Sequence, residues 1–136
     1  MQFYKKQPPR IFIVGNNSEI EIKDVGEIYL DANEQVTFIT PEGAEYDVTR
    51  KNWGFYATPS MNARLAAQGL KAGLVMNSIG RLFLMLVEKG KENEFIDYLS
   101  NDNQRLLSWL CTDADVKQIK MYYINRIRFI LGSRKK

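Results

Sequence analysis

Apolar and polar residues alternate in short runs along the first half of the chain. The runs cover residues 11–14, 19–23, 27–30, 35–40 and 44–49, with Gly, Asn, Asp or Pro between them. Alternation with a period of two is typical of strands that bury one face. The pattern predicts an antiparallel β-unit of about five short strands with a roll-like or barrel-like form. On the last run, we expect Glu45 and Asp47 to lie on the solvated face.

The pattern changes after residue 51. Thr58-Pro59 predicts the N-cap and first turn of a helix over residues 59–68. Residues 70–76 and 81–87 then predict a β-hairpin around a turn of Asn, Ser, Ile and Gly. Because 81–87 is almost continuously apolar, we expect this strand to be buried on both faces at the centre of the sheet.

The rest of the chain predicts two helices around one strand. Residues 91–100 form an amphipathic helix and residues 105–111 a short strand. Thr112 or Asp113 is placed to cap a long amphipathic helix that runs to residue 131. Its apolar stripe and basic flank predict a surface for self-association or for a partner protein, formed by Ile119, Tyr123, Arg126, Ile127 and Ile130. Two alternatives are that the stripe packs on this domain's own sheet, or that the helix lies on an anionic membrane.

Together these elements predict a single α+β domain over residues 10–131. It contains a β-rich half, a mixed helix–hairpin–helix–strand half that begins at residue 51, and the C-terminal helix from residue 112. We expect the two halves to share a core around residues 81–87. The pair Pro8-Pro9 opposes regular pairing, so residues 1–9 are expected to form an extended arm, and residues 132–136 a basic tail.

The composition excludes several kinds of active site. None of the 136 residues is histidine, which removes Ser-His-Asp systems and HExxH zinc sites. The single cysteine, Cys111, excludes an intramolecular disulfide and a CxxC metal knuckle. We therefore expect no metal and no cofactor, and we assign no catalytic residue. The net charge of +3 is mild and is concentrated near the ends, which disfavours a nucleic-acid groove. With no apolar window long enough for a signal peptide or a membrane span, we expect a cytoplasmic protein.

Aromatic and polar residues cluster between positions 52 and 64. Trp53 and Tyr56 supply ring faces, and Asn52, Asn62 and Arg64 supply hydrogen-bonding groups. This combination suits sugars, and it also suits the unstacked bases of single-stranded nucleic acid. The alternative is that the rings belong to the hydrophobic core. We take these five residues as a hypothetical site for a small polar, carbohydrate-like ligand.

The expected function is that of a small non-enzymatic accessory protein that acts through protein–protein contacts, with a polar ligand site near residues 52–64. Two other functions stay open. A single-stranded nucleic-acid-binding module would use the basic ends and exposed aromatics, and its binding would weaken steeply with salt. A histidine-independent enzyme acting on a polar or sugar-like substrate would need Asp47, Arg50 and Arg64 to converge in a concave pocket.

Overall fold

The structure, a computed structural model, describes residues 1–15, 17, 19–117, 120, 121, 124, 125 and 128. It confirms a mixed fold, in which the strands form antiparallel sheets and the helices are short. The strands are β1 (Gln2–Val14), β2 (Ile20–Tyr29), β3 (Gln35–Ile39), β4 (Glu45–Lys51), β5 (Gly54–Ala57), β6 (Leu70–Met76), β7 (Leu82–Glu88) and β8 (Arg105–Trp109). The helices are α1 (Arg64–Ala67) and α2 (Glu92–Asn101), and residues 113–117 are also helical.

The first two strands form a long two-stranded ribbon. Val14 pairs with Ile20 at its tip and Gln2 with Tyr29 at its base, with a register shift between Lys5 and Arg10. The segment expected to be an arm is therefore part of β1, and the predicted break at residues 24–26 lies inside β2. Gly26 allows this continuity, since the backbone of Tyr4 and the ring of Phe3 occupy the space of a side chain there.

A separate sheet has the order β3-β4-β5, so the first half of the chain contains two sheets instead of one roll or barrel. The order of the third sheet is β7-β6-β8. The hairpin of β6 and β7 is confirmed, and its turn is held by Asn77, whose Oδ1 accepts hydrogen bonds from the backbone N–H groups of Ile79 (3.2 Å) and Arg81 (2.8 Å).

The centre of this third sheet is β6, and the prediction for residues 81–87 is wrong. The strand β7 lies at an edge, and the side chains of Leu82, Phe83 and Leu84 are exposed. The strand β8 pairs with β6, where Gly73 leaves room for Leu106 and Trp109. One cluster of the buried core joins residues from several elements, namely Ala44, Leu65, Leu70, Ala72 and Leu110.

The helix predicted over residues 59–68 is reduced to the single turn of α1. Thr58 does not cap it, because the backbone N–H of Thr58 donates to the carbonyl oxygen of Asp47 (3.1 Å) and so keeps the chain beside β4. Ser60 takes over part of the capping role, since its Oγ accepts a hydrogen bond from the backbone N–H of Arg64 (3.0 Å). Local tertiary contacts thus override the Thr-Pro start signal.

The start of the C-terminal helix is confirmed at Thr112. Its Oγ1 accepts from the N–H of Asp115 (3.1 Å), and Asp115 Oδ2 accepts from the N–H of Thr112 (2.8 Å). This reciprocal pair has the geometry of a capping box. The residues of the predicted interaction stripe, Ile119, Tyr123, Arg126, Ile127 and Ile130, lie outside the described residues.

Candidate functional site

The predicted ligand residues fall into two groups. Asn52 and Trp53 form the turn between β4 and β5, where Trp53 is 73% exposed. Arg50 Nη1 donates to Asn52 Oδ1 (3.3 Å), so a hydrogen-bonded polar pair directly precedes Trp53 in the chain. Tyr56 follows on β5, opposite Thr49, and is also exposed. This turn presents aromatic surface to solvent.

Asn62 and Arg64 are engaged by carboxylates of other elements. Asn62 Nδ2 donates to Asp113 Oδ1 (2.7 Å), and Arg64 Nη2 donates to Asp47 Oδ2. A ligand that bound these two side chains would have to replace those bonds. Of the three residues named for an enzyme, the structure brings Asp47 and Arg64 together, while Arg50 is bonded to Asn52.

Asp47 is the most highly connected polar side chain in this region. It is only 5% exposed, which corrects the expectation of a solvated residue. Its carboxylate accepts hydrogen bonds from Thr37 Oγ1 (2.6 Å) on β3 and from Gln68 Nε2 (3.0 Å), in addition to Arg64. The expectation was wrong because the three donors lie 10 to 21 residues away in the sequence, and the alternation of residues along β4 does not indicate them.

The bonds to Asp47 decide what it can do chemically. The hydroxyl of Thr37, followed by the amide of Gln68 and the charge of Arg64, lowers the pKa of Asp47 from its ordinary value of 3.8. Asp47 is therefore ionised at neutral pH, with its lone pairs used by three donors. A general acid or base needs a pKa near the working pH and a free proton site. Asp47 fits a structural role, in which it ties β3, β4 and the end of α1 together.

A polar cleft of about 440 Å³ lies beside this cluster and is lined by Glu42, Glu45, Gln68 and Glu88, among others. Lys91 Nζ contacts Glu42 (3.0 Å) and Glu88 (3.7 Å), which offsets part of the negative charge. Within the part of the chain that the structure describes, no group of three or more Cys, Asp or Glu side chains is arranged to hold a metal ion. The cleft therefore has acidic character without a metal-binding arrangement.

Large apolar side chains are unusually exposed on the ribbon. They lie on both of its faces, because cross-strand partners share a face and neighbours alternate. Tyr4 and Tyr29 stack edge to face with ring centroids 5.3 Å apart, yet both remain exposed. The exposed apolar residues of the two strands are Phe3, Tyr4, Ile11, Ile13, Val14, Ile22, Val25, Ile28 and Tyr29. The sequence alone does not reveal this exposure, because it depends on which strands pair with β1 and β2.

None of the helices in the described residues has the length and apolar content that crossing a bilayer requires. No protein-family model, curated protein or solved structure matches this chain significantly.

Proposed function

We propose that this protein is a non-enzymatic accessory protein that acts by associating with protein chains, including further copies of itself. The observation that supports the proposal is the position of its apolar side chains. The described core contains eight buried hydrophobic residues, whereas nine large apolar residues are exposed on the two ribbon strands alone. Exposed apolar surface on this scale marks interaction sites in soluble proteins.

We infer that the protein works in the cytoplasm, since its only cysteine, Cys111, is a free thiol that suits a reducing compartment. The C-terminal segment over residues 113–131 is one proposed contact surface. Met121 and Ile124 are exposed on its described part. Replacing Ile124 with Asp should weaken association if this segment contributes, and replacing its exposed neighbour Asn125 with Asp is the matched control for added charge.

Sedimentation velocity of the full chain over a wide concentration range tests the proposal, together with the fluorescence of a dye that binds exposed apolar surface. We expect an oligomer whose mass depends on concentration. A monomer that binds the dye strongly would support association with a different protein. A monomer that leaves the dye unbound would overturn the proposal.

A second candidate function, the binding of a carbohydrate-like ligand, is favoured by the exposure of Trp53 and Tyr56, which follow the hydrogen-bonded pair of Arg50 and Asn52 in the chain. Ring faces beside polar groups suit sugar binding. Calorimetric titration with oligosaccharides should detect binding, and Trp53→Ala should abolish it without altering the circular dichroism. Binding that persists in Trp53→Ala would reject this site. The equivalent change at exposed Phe38, on β3, is the control.

A further inference from the structure

Both edges of the β1–β2 ribbon are open. The sheet has only two strands, and the structure shows no third strand beside either of them within the described residues. An open edge presents a row of backbone N–H and C=O groups that can pair with another strand. An isolated two-stranded hairpin is at best marginally stable in water, and a further strand or a packed surface is needed to stabilise it. At the tip of the ribbon, Gly15 and Ile20 line clefts together with Tyr98 of α2. A further strand along either edge would stabilise the ribbon.

The two edges carry opposite charge. β1 has three cationic residues, Lys5, Lys6 and Arg10, and no carboxylate, which gives a net charge of +3. β2 has Glu21, Asp24 and Glu27 against the single Lys23, which gives a net charge of −2. Opposite charges on adjacent strands stabilise pairing, and like charges oppose it. A β2 edge is therefore better matched to the β1 edge of another copy than to a second β2 edge.

Part of this complementarity is used inside the ribbon. Lys6 Nζ contacts Asp24 (2.6 Å) and Glu27 (3.2 Å) across the two strands, and Glu21 lies 3.5 Å from Lys23 on its own strand. Arg10 lies over the ring of Phe12, 4.1 Å from its centroid. Lys5, Arg10, Glu19 and Glu21 are exposed and remain accessible to a neighbouring chain.

Resting on the proposed function, we infer that copies of this chain assemble head to tail through their ribbons, with β2 of one copy pairing with β1 of the next. This contact continues the antiparallel order and extends the sheet as β1-β2-β1-β2. It would also bring the exposed apolar side chains of neighbouring ribbons beside one another. Pro8 and Pro9 lack backbone N–H groups, so pairing along β1 would run on either side of them. Such contacts form a closed ring if the rotation from each copy to the next adds up to a full turn, and a filament if it does not.

Charge reversal tests the pairing while leaving Lys6, Asp24 and Glu27 intact. One variant carries Lys5→Glu and Arg10→Glu, and the other carries Glu19→Lys and Glu21→Lys. We expect the wild type to assemble, and to assemble less at high salt. Each variant alone should sediment as a smaller species, and an equimolar mixture should form a heterodimer, because the first variant's β2, with a net charge of −2, meets the second variant's β1, with a net charge of +3. Folded variants that assemble like the wild type, or a mixture that stays dissociated, would overturn the inference.

Cross-linking gives a test that does not depend on charge. In a Cys111→Ser background, one chain carries Ile11→Cys on β1 and another carries Lys23→Cys on β2; these positions are partners within a ribbon and lie at the same height. The mixture should form disulfide-linked dimers between the two chains, and Lys23→Cys alone should not. Efficient linkage of Lys23→Cys alone would show two-fold pairing of β2 edges and overturn the inference.

The outcomes also separate this inference from the proposed function. An assembly that shows no ribbon cross-link would place the interface elsewhere, which overturns ribbon pairing and leaves the proposed function standing. A dye-binding monomer has the same consequence, since the apolar surface then serves a different protein. A monomer without dye binding overturns both.

Discussion

Truncating Leu65 should unfold this protein far more readily than truncating Leu84. Both leucines line one apolar cavity of about 300 Å³, but Leu65 is 0% exposed and Leu84 is 52% exposed. Leu65 packs in the cluster of Leu70, Ala72 and Leu110, where the second sheet meets the third. The pair therefore holds residue type and neighbourhood constant while burial changes.

The magnitude follows from the atoms removed. Leu→Ala deletes three carbons, which at about 0.8 kcal/mol each amounts to about 2.4 kcal/mol of lost transfer free energy. The empty volume left behind adds to this cost, as in other buried leucines, where totals of roughly 3–5 kcal/mol are found. Because Leu65 lies on a one-turn helix beside an existing cavity, we expect partial collapse and a loss of about 3 kcal/mol. Leu84→Ala should change the free energy of unfolding by less than about 0.5 kcal/mol, as surface substitutions usually do.

Urea unfolding followed by circular dichroism measures both values, at one fixed protein concentration because association shifts apparent stability. With a slope of about 2 kcal/mol per molar, Leu65→Ala should lower the midpoint by about 1.5 M. If Leu84→Ala were as destabilising as Leu65→Ala, Leu84 would belong to the core, as the prediction of a strand buried on both faces at 81–87 implied, and the burial argument would be refuted.

Three further predictions follow from individual contacts. The pKa of Asp47 is lowered in the folded state, so its carboxylate stabilises the fold fully at pH values above the ordinary pKa of 3.8, and this stabilisation is lost as the pH falls through the lower folded-state pKa. Asp47→Asn should therefore reduce the fall of the urea midpoint at acidic pH, and an unchanged fall would contradict the lowered pKa of Asp47. Gly26→Ala places Cβ 2.6 Å from the carbonyl oxygen of Tyr4, so amide hydrogen exchange at the base of the ribbon should accelerate, and unchanged exchange there would contradict this explanation of Gly26. Thr112→Ala removes one half of the capping box and should cost about 1 kcal/mol in the same unfolding assay, while Thr112→Ser should restore most of it.

The sequence predicted well those features that local chemistry determines. The turn between β6 and β7 needs the side chain of Asn77 and a glycine at position 80, and both are visible in the sequence. The helix α2 matches its predicted span within a residue at either end, because its apolar spacing and flanking turn residues are local signals. The cap at Thr112 depends on a partner only three residues away.

Features that depend on distant partners could not be predicted in this way. The apolar run at 81–87 fits both a central strand that is buried on two faces and an edge strand, and only the pairing of β8 with β6 distinguishes the two. Asp47 alternates with apolar residues as a solvated carboxylate would, yet donors from positions 37, 64 and 68 surround it. The candidate ligand residues share a stretch of sequence, but the ion pair of Arg64 links it to β4 instead of to the Trp53 turn.

The exposed apolar surface is best understood by comparing composition with burial. An apolar content of 45% is ordinary for a globular domain, so the chain has enough hydrophobic residues to build a normal core. Its strands are instead divided among three separate sheets, and the two-stranded ribbon has no room between its faces for a core of its own. The elements that the structure describes leave large apolar side chains exposed on both faces of this ribbon. Contacts with other chains would cover them without any change in the fold, and for this reason association, and not chemistry at Asp47, is the function to test first.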